Sequence, residues 1–483
     1  MKHSWIALLL ASPALAQKVD GDSRRPDTLR VFVSGGIDFD GIYRDRNLTG
    51  AGAGGRGFGS STWSVEGEVG LRFDIEMQEK INAVVSLRTQ RVKDGFSGAG
   101  DVLSAQNGAV LLSSDHNAFG ADPEETRLFV DEASVTVNEL FDPLIRLTAG
   151  IVPVAFDLRG RGSAFFFDPR HSSTFGKGVG LPFAPSLGGG AASGVTVLGF
   201  ADELQPAGFQ IAYARESFTA GLFLLPAILE GGDSSIDEAA YGIWALFAPK
   251  ELGEGTRFGV IVAVDSFELS NTSVWTVGGG LDFHGLLDGL EIYGEVYFQF
   301  GRAGVNSDGD VLSAGGWAFQ VGAEYRFPDN ARNLWFGIDF TWVSGDGDRE
   351  DDSVQTFLSY ENVNDLLILE DRCFGLDLDT NYLSLKLAGG MAFTLGSGAI
   401  QNNLEILVRG GLNLLHHELT LAGGDDSRRI GHEIDLRAKL SVTKQMSFDT
   451  AVGFLLGSEV LEEVFGTDGE NGILWTLGTT VRF

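Results

Sequence analysis

The chain has 483 residues, of which 67 are glycine and 35 are phenylalanine, and its formal net charge at pH 7 is −31. Glycine at roughly twice its ordinary frequency, together with abundant apolar residues, excludes a wholly disordered chain. No run of about 18 apolar residues occurs, which excludes a bundle of transmembrane helices. The acidic excess argues against nucleic acid as a partner. The lone cysteine, Cys373, excludes an intramolecular disulfide framework.

The first residues have the pattern of a secretory signal. Lys2 and His3 precede the apolar residues 6–10, and Ala14, Leu15 and Ala16 form a small-residue cleavage motif. We predict that residues 1–16 are a signal peptide cleaved after Ala16. Residues 17–28 are then a short N-terminal periplasmic segment, and residues 29–483 form one barrel domain.

The rest of the chain is a series of strand-like runs separated by Gly, Asp and Asn. In residues 290–300, apolar side chains at even positions alternate with Glu291, Glu295 and other polar or aromatic residues at odd positions. A strand places these two sets on opposite faces. Runs of about 10 to 14 residues are longer than most globular strands and suit tilted membrane-spanning strands. In chain order, the predicted strands are 29–40, 64–76, 81–92, 127–138, 144–156, 209–215, 218–225, 239–248, 257–265, 273–283, 290–300, 314–327, 333–344, 381–394, 399–413, 430–442, 447–456 and 473–483.

The connections between these 18 strands alternate between short and long. The short ones include 77–80, 251–255, 285–288, 328–331, 395–398 and 443–445, and the longest are 95–125, 157–205 and 345–380. A further strand-like run, 193–200, is assigned to a long loop, because counting it as spanning gives 19 strands and breaks this alternation. The pattern predicts an all-β fold, a single antiparallel transmembrane β-barrel of about 18 strands with short periplasmic turns and long extracellular loops. The alternative is a soluble β-sandwich or propeller, which has shorter strands.

The last strand ends in an aromatic residue. Trp475, Leu477, Thr479, Val481 and Phe483 share one face of this strand. A terminal aromatic on such a strand is typical of outer-membrane barrels. It predicts that the chain contacts outer-membrane lipid and is recognised by the barrel-assembly machinery through Phe483.

Residues 157–200 are basic within an acidic chain, with four basic residues against Asp157 and Asp168. One interpretation is an infolded loop that narrows the pore, where guanidinium groups meet anions and aromatic rings contact sugar faces. The other is that these cations pair with nearby acids and tether the loop to the wall. The predicted constriction residues are Arg159, Arg161, Arg170, Lys177, Phe165, Phe166 and Phe167.

Charged residues two apart on strands cannot all face lipid, where a Lys or Arg at the bilayer midplane costs roughly 2 to 4 kcal/mol. They must line water or pair with one another. One interpretation is a cross-strand ion-pair network on the barrel wall. The other is a conduction path with separate acidic and basic rows of side chains. The predicted lumen wall includes Glu291, Glu295, Asp339, Glu405, Arg409, Glu433, Asp435 and Arg437, with Glu324, Arg88, Arg146, Arg326, Lys386 and Lys439 as further members.

An acidic run, 346–352, resembles the start of a calcium loop. Asp346, Asp348 and Asp352 are candidate ligands, but an EF-hand needs a Glu at the position of Phe357. A solvated acidic loop is the alternative interpretation. No Gly-x-Ser-x-Gly, Walker or His-Glu-x-x-His motif occurs. We therefore predict no cofactor and no enzymatic activity.

The second half of the chain, roughly 289–483, resembles the bacterial alginate-export outer-membrane porin family. The resemblance rests on Asp339-Phe-Thr-Trp-Val-Ser-Gly-Asp-Gly-Asp348 followed by Thr356-Phe357, and on Ile430-Gly-His-Glu-Ile-Asp-Leu436 followed by Ala451-Val-Gly-Phe454. In the first half, Asp131-Glu-Ala-Ser-Val135 before Leu147-Thr-Ala-Gly150 is a weaker match. The resemblance implies an outer-membrane barrel with a solute path through its centre.

The combined expectation is a porin-like outer-membrane channel for passive passage of hydrophilic solutes. Sugars, organic acids or an anionic polysaccharide of the alginate type are the candidate classes. The alternatives are a plugged or structural barrel, and an outer-membrane hydrolase.

Overall fold

The computed structural model describes residues 29–46, 62–77, 80–91, 126–151, 156, 158, 207–227, 238–267, 272–305, 309–328, 330–347, 351–357, 366–369, 381–396, 402–420, 426–457, 460 and 471–483. No helix among these residues is long and apolar enough to cross a membrane. The predicted signal peptide, the segment 17–28 and the run 193–200 lie outside the described residues.

The described residues form twenty strands and one short 3-10 helix at Lys250–Leu252. The strands are β1 (Leu29–Arg46), β2 (Thr62–Met77), β3 (Ile81–Arg91), β4 (Thr126–Asn138), β5 (Ile145–Ile151), β6 (Ala207–Arg215), β7 (Phe218–Ala227), β8 (Glu238–Phe247), β9 (Arg257–Phe267), β10 (Thr272–Phe283), β11 (Leu290–Val305), β12 (Val311–Ala314), β13 (Trp317–Arg326), β14 (Trp335–Val343), β15 (Ser353–Val354), β16 (Tyr382–Leu395), β17 (Asn402–Thr420), β18 (Asp426–Ser441), β19 (Met446–Gly457) and β20 (Asn471–Arg482).

Eighteen of these strands form a closed antiparallel barrel, which confirms the predicted fold class. Each pairs with the next along the chain, β11 pairs with β13, β14 pairs with β16, and β20 returns to pair with β1. The two remaining strands, β12 and β15, pair with each other in parallel beside β11. Closure leaves no open sheet edge in the barrel, so every spanning strand has a partner on both sides.

The seam between the first and last strands depends on the C-terminal residue. The backbone N–H of Gly35 donates to the Phe483 carbonyl at 2.9 Å, and the N–H of Phe483 donates back at 3.0 Å. A Cβ at Gly35 would lie 2.8 Å from Cζ of the Phe483 ring. The glycine therefore makes room for the terminal ring where the barrel closes.

The two faces of the wall differ as the period-two pattern requires. In β11, Val296, Phe298 and Phe300 are 42%, 54% and 49% exposed on the outer face, whereas Glu295 and Tyr297 on the inner face are 3% and 0% exposed. The outer face continues as an apolar band on the neighbouring strands, with Phe336, Ile338, Leu385, Leu387, Ile434, Leu436, Phe454 and Leu456.

Several strands run further towards the long loops than predicted. β1 continues to Arg46 and β17 to Thr420, about six or seven residues past the predicted ends at positions 40 and 413. The β17–β18 ladder reaches the pair Thr420 and Asp426. Beyond the apolar band, hydrogen bonds between strands continue although the alternation of apolar residues does not. Hydrophobic periodicity therefore marks only part of each strand.

Candidate functional site on the inner wall

The inner face of β7, β8 and β9 is apolar. Phe223, Trp244 and Ile261 point inward there and are 2%, 3% and 1% exposed. They belong to one buried cluster that also includes Leu225, Ala240 and Ala263. No sequence pattern singled out this part of the wall, because apolar residues on an inner face give no sign that the face lines a pore.

Two residues from the long connection between β5 and β6 cover this apolar wall. Phe156 and Leu158 are fully buried and belong to the same cluster. A Cβ at Gly259 would lie 2.7 Å from Leu158 Cδ1, and one at Gly280 would lie 2.7 Å from Cδ2. The connection therefore turns into the barrel at its start and rests on two wall glycines. We call Phe156 and Leu158 the first infolded segment.

The inner face of β14 and β16 carries a buried ion pair. Asp339 lies 3.2 Å from Lys386 Nζ and accepts hydrogen bonds from Tyr293 Oη and Thr341 Oγ1, both at 3.1 Å. Asp339 and Lys386 are 9% and 5% exposed. Hydrogen bonding on both carboxylate oxygens offsets part of the cost of removing these charges from water.

Several other predicted wall residues have a polar or charged neighbour on the wall. Glu295 accepts from Tyr297 Oη at 2.9 Å, and Arg326 pairs with Glu324 at 2.5 Å. Glu291 is buried at 8% exposure, whereas Glu405 is exposed and accepts from Asn403 Nδ2 at 2.9 Å. Arg409 stands opposite Asp435 in the strand register. Arg437 lies 3.4 Å from the same Asp435.

Glu433 and Asp435 on β18 bind a second infolded segment. Glu433 Oε1 accepts from the backbone N–H of Ile368 at 2.5 Å, and Oε2 accepts from that of Leu369 at 3.0 Å. Asp435 Oδ2 accepts from the N–H of Leu367 at 3.0 Å. Both carboxylates are 0% exposed. We call residues 366–369, a turn from the connection between β15 and β16, the second infolded segment.

Wall glycines make room for this segment as well. A Cβ at Gly411 would lie 2.6 Å from Leu366 Cδ1, and one at Gly453 would lie 3.2 Å from Ile368 Cγ1. The prediction placed 345–380 wholly in an extracellular loop and did not anticipate the infolding. The apolar run Leu366-Leu-Ile-Leu369 between Asp365 and Glu370 was an available signal, since four apolar residues rarely stay exposed in a loop.

The predicted constriction lies outside the described residues, which applies to Arg159, Arg161, Arg170, Lys177, Phe165, Phe166 and Phe167. The same holds for Asp348 among the calcium candidates. Asp346 and Asp352 are described, but neither belongs to a group of three potential metal ligands in the described part of the chain.

One such group does occur among the described residues, at the opposite end of the barrel. It consists of Asp282 at the end of β10, His284 in the following turn and Glu291 at the start of β11. Glu291 was predicted from the sequence as a wall residue, but the group of three was not predicted. The sequence did contain a signal for this group. Asp282 and His284 lie two residues apart at the end of a strand, and the hairpin brings them opposite Glu291, the first inward-facing carboxylate of the next strand.

Comparison with known proteins supports the fold. No protein-family model matches the chain, and no curated protein matches it. Among solved structures, OccK9 (OpdG) of Pseudomonas aeruginosa superposes with a TM-score of 0.53 at 12% identity, covering 94% of this chain and 98% of that one. OccK11 (OpdR) of the same species has a TM-score of 0.47 at 11% identity over 93% and 96%. A BenF-like porin from Pseudomonas fluorescens Pf-5 has 0.46 at 12% over 93% and 99%.

At these identities the similarity to OccK9 shows that the two chains share a fold over nearly their full lengths. The expected resemblance to alginate-export porins is thus supported only at the level of the barrel.

Proposed function

We propose that this chain forms a bacterial outer-membrane channel that passes small hydrophilic solutes passively. The observation that carries this proposal is a closed 18-strand barrel whose outer face is apolar and whose inner face holds charged side chains. A barrel of this strand number is wide enough to enclose an aqueous path. The proposal includes cleavage of the signal peptide after Ala16 and recognition of Phe483 by the assembly machinery.

The two infolded segments would define the narrow part of this path. Leu158 and Ile368 each extend over glycines of the inner wall, from different sides of the barrel. Solutes then pass between an apolar wall and a wall of paired charges. The predicted constriction residues Arg159 and Arg161 directly follow the first segment and would extend into the same space. Selectivity would follow from pore width and from the balance of inner charges.

A path narrowed from two sides favours sugars and organic acids over an alginate-type polymer. Among the described residues of the polar wall, Asp339, Glu324 and Asp435 each have a basic neighbour. These cations are therefore balanced by carboxylates and do not form the excess of positive charge that a polyanion requires. A closed structural barrel is the second candidate, because the carboxylates of Glu433 and Asp435 are fully covered. Conductance separates the two.

Single-channel recording in planar bilayers under a salt gradient tests the proposal. We expect discrete open steps, with a reversal potential that shifts towards anions when Asp339 is changed to Asn, because Lys386 then loses its counter-charge. Arg428→Gln, which removes an exposed cation paired with Glu418, serves as the control. Absence of steps in wild type and in variants that release the second infolded segment would refute the channel and leave the structural barrel.

A further inference from the structure

The hairpin that joins β10 to β11 brings three metal-ligand side chains together. One donor atom from each of Asp282, His284 and Glu291 lies within 4.8 Å of the others. Nitrogen and oxygen donors bound at about 2.0–2.2 Å to one tetrahedral zinc-class ion are about 3.3–3.6 Å apart. The three donor atoms therefore need to approach one another by up to about 1.5 Å, which side-chain rotations supply, to reach a common ion.

The two carboxylates of this group are buried side by side. Asp282 is 2% exposed and Glu291 is 8% exposed. Like charges repel strongly where water is excluded, so a cation that binds both gains more here than at the surface. His284 Nε2 already lies 3.0 Å from Asp282 Oδ1, a separation normal for two neighbouring ligands of one ion.

The turn between β8 and β9 contacts His284 and helps to set its position, in addition to the hairpin that contains it. The backbone N–H of His284 donates to Thr256 Oγ1 at 3.1 Å, and this hydroxyl donates to the Leu252 carbonyl at 3.1 Å. Gly255 has φ +91°, and a Cβ there would lie 3.2 Å from Cδ2 of the imidazole. The ring therefore packs beside a position that accommodates glycine best, and the backbone hydrogen bond to Thr256 holds His284 at this point of the turn.

We propose that Asp282, His284 and Glu291 bind one divalent transition-metal ion of the zinc class. The imidazole distinguishes this donor set from the all-oxygen sets that Ca²⁺ and Mg²⁺ prefer. Three protein ligands leave a fourth position open to water or to a carboxylate of a passing solute. The competing explanation is a purely protein network, in which Arg257, opposite Asp282 in the strand register, supplies the positive charge. The inference does not depend on channel activity.

Binding is measured directly on the refolded full chain in detergent, without a polyhistidine tag. Zn²⁺ is titrated in competition with a fluorescent chelator, and Co²⁺ is titrated separately with its visible d–d absorption as the readout. The variants are His284→Gln, which retains a hydrogen-bond donor towards Asp282, and the matched control His416→Gln on β17. Heat-modifiable migration on gels verifies that each barrel is folded.

We expect wild type and the control to hold one Zn²⁺ more tightly than the His284→Gln variant, by at least about tenfold. Wild type should also give the intense visible band of four- or five-coordinate Co²⁺. Equal Zn²⁺ affinity of wild type and His284→Gln overturns the proposal. A wild-type Co²⁺ spectrum like that of the free aqueous ion overturns it as well, whether or not the variants fold.

Discussion

The two infolded segments are both held against the inner wall of the barrel, but by different interactions. Leu158 lies on an inner wall of apolar residues such as Ile261, and its contacts among the described residues are packing contacts with that wall and its glycines. Ile368 and its neighbours lie on a wall that presents two carboxylates to three consecutive backbone N–H groups. In both places, wall glycines provide the space. The difference shows that an internal loop can be held either by packing or by a register-specific set of hydrogen bonds.

These two modes respond differently to perturbation. Apolar burial contributes roughly 25 cal/mol per Å² whatever the orientation of the groups, so a small shift of the first segment costs little. Hydrogen bonds to a carboxylate are directional, and an unpaired buried carboxylate or N–H is costly. We therefore expect the second segment to be either bound in one position or released from the wall, whereas the first segment tolerates small shifts. The following substitutions test this difference between the two segments.

The largest effect is expected from Glu433→Ala. This change leaves two buried backbone N–H groups without their acceptor, at a cost of about 1–3 kcal/mol each, or about 2–6 kcal/mol together. We expect release of the second infolded segment, faster limited proteolysis within 358–380 and larger single-channel conductance. Glu418→Ala, at an exposed position on β17 outside the predicted lumen wall, is the matched control. If conductance and cleavage match those of wild type, Glu433 does not hold the segment.

A smaller effect is expected from Leu158→Ala. Truncating a fully buried leucine costs about 2–5 kcal/mol through lost burial and an internal cavity. The melting temperature of the refolded barrel should fall, while proteolysis within 358–380 stays as in wild type. Leu287→Ala, in a turn where the side chain is 55% exposed, is the control. Cleavage of the second segment in Leu158→Ala would show that the two segments are coupled and not independent.

Asp435→Asn should be milder than Glu433→Ala. An amide oxygen still accepts from the N–H of Leu367, but the bond loses its charge and the 3.4 Å contact with Arg437 loses its partner charge. The expected weakening is about 1 kcal/mol. The measurement is limited proteolysis, in which we expect a modest rise in the rate of cleavage within 358–380. A rise as large as that of Glu433→Ala would mean that Asp435 is the main anchor.

The smallest effect is expected at an exposed pair on the short turns. Lys250 Nζ contacts Glu216, which lowers the pKa of Glu216 and raises that of Lys250. The pair is therefore fully formed around neutral pH, is lost on acidification as Glu216 protonates, and is lost at alkaline pH as Lys250 deprotonates. Because both side chains are exposed, Glu216→Gln should leave the melting temperature and its profile between pH 6 and pH 9 unchanged. A clear shift would show that this pair contributes more to stability than an exposed ion pair is expected to contribute.

Much of the wall could be predicted because its pattern is local. Apolar and polar side chains alternate in runs such as 290–300 because one face of the strand contacts an apolar medium and the other face contacts polar groups. All eighteen predicted spanning strands have counterparts in the barrel. The short strands β12 and β15 were missed, because their two- and four-residue pairings leave no measurable period in the sequence.

The inner contacts could not be predicted in the same way. Asp339 and Lys386 stand opposite each other only because β14 pairs with β16 in one register. Glu433 meets Ile368 across 65 residues of sequence, with no local signal for the pairing. The three donors at the β10–β11 hairpin lie nearer in sequence, yet their convergence depends on the turn held by Thr256.

By itself, the sequence determined the class of the molecule. Its period of two, its strand count and its alternating connection lengths specify an 18-strand antiparallel barrel, since each is a property of single strands and their neighbours. Only the tertiary structure decided what occupies the interior. That outcome depends on which wall glycines face an incoming loop, and on which carboxylates meet its N–H groups. A hydrophobic pattern and a turn can fix the register of one hairpin. Which loop meets which part of the wall depends on the closure of the whole sheet, and the pattern of a single strand does not specify it.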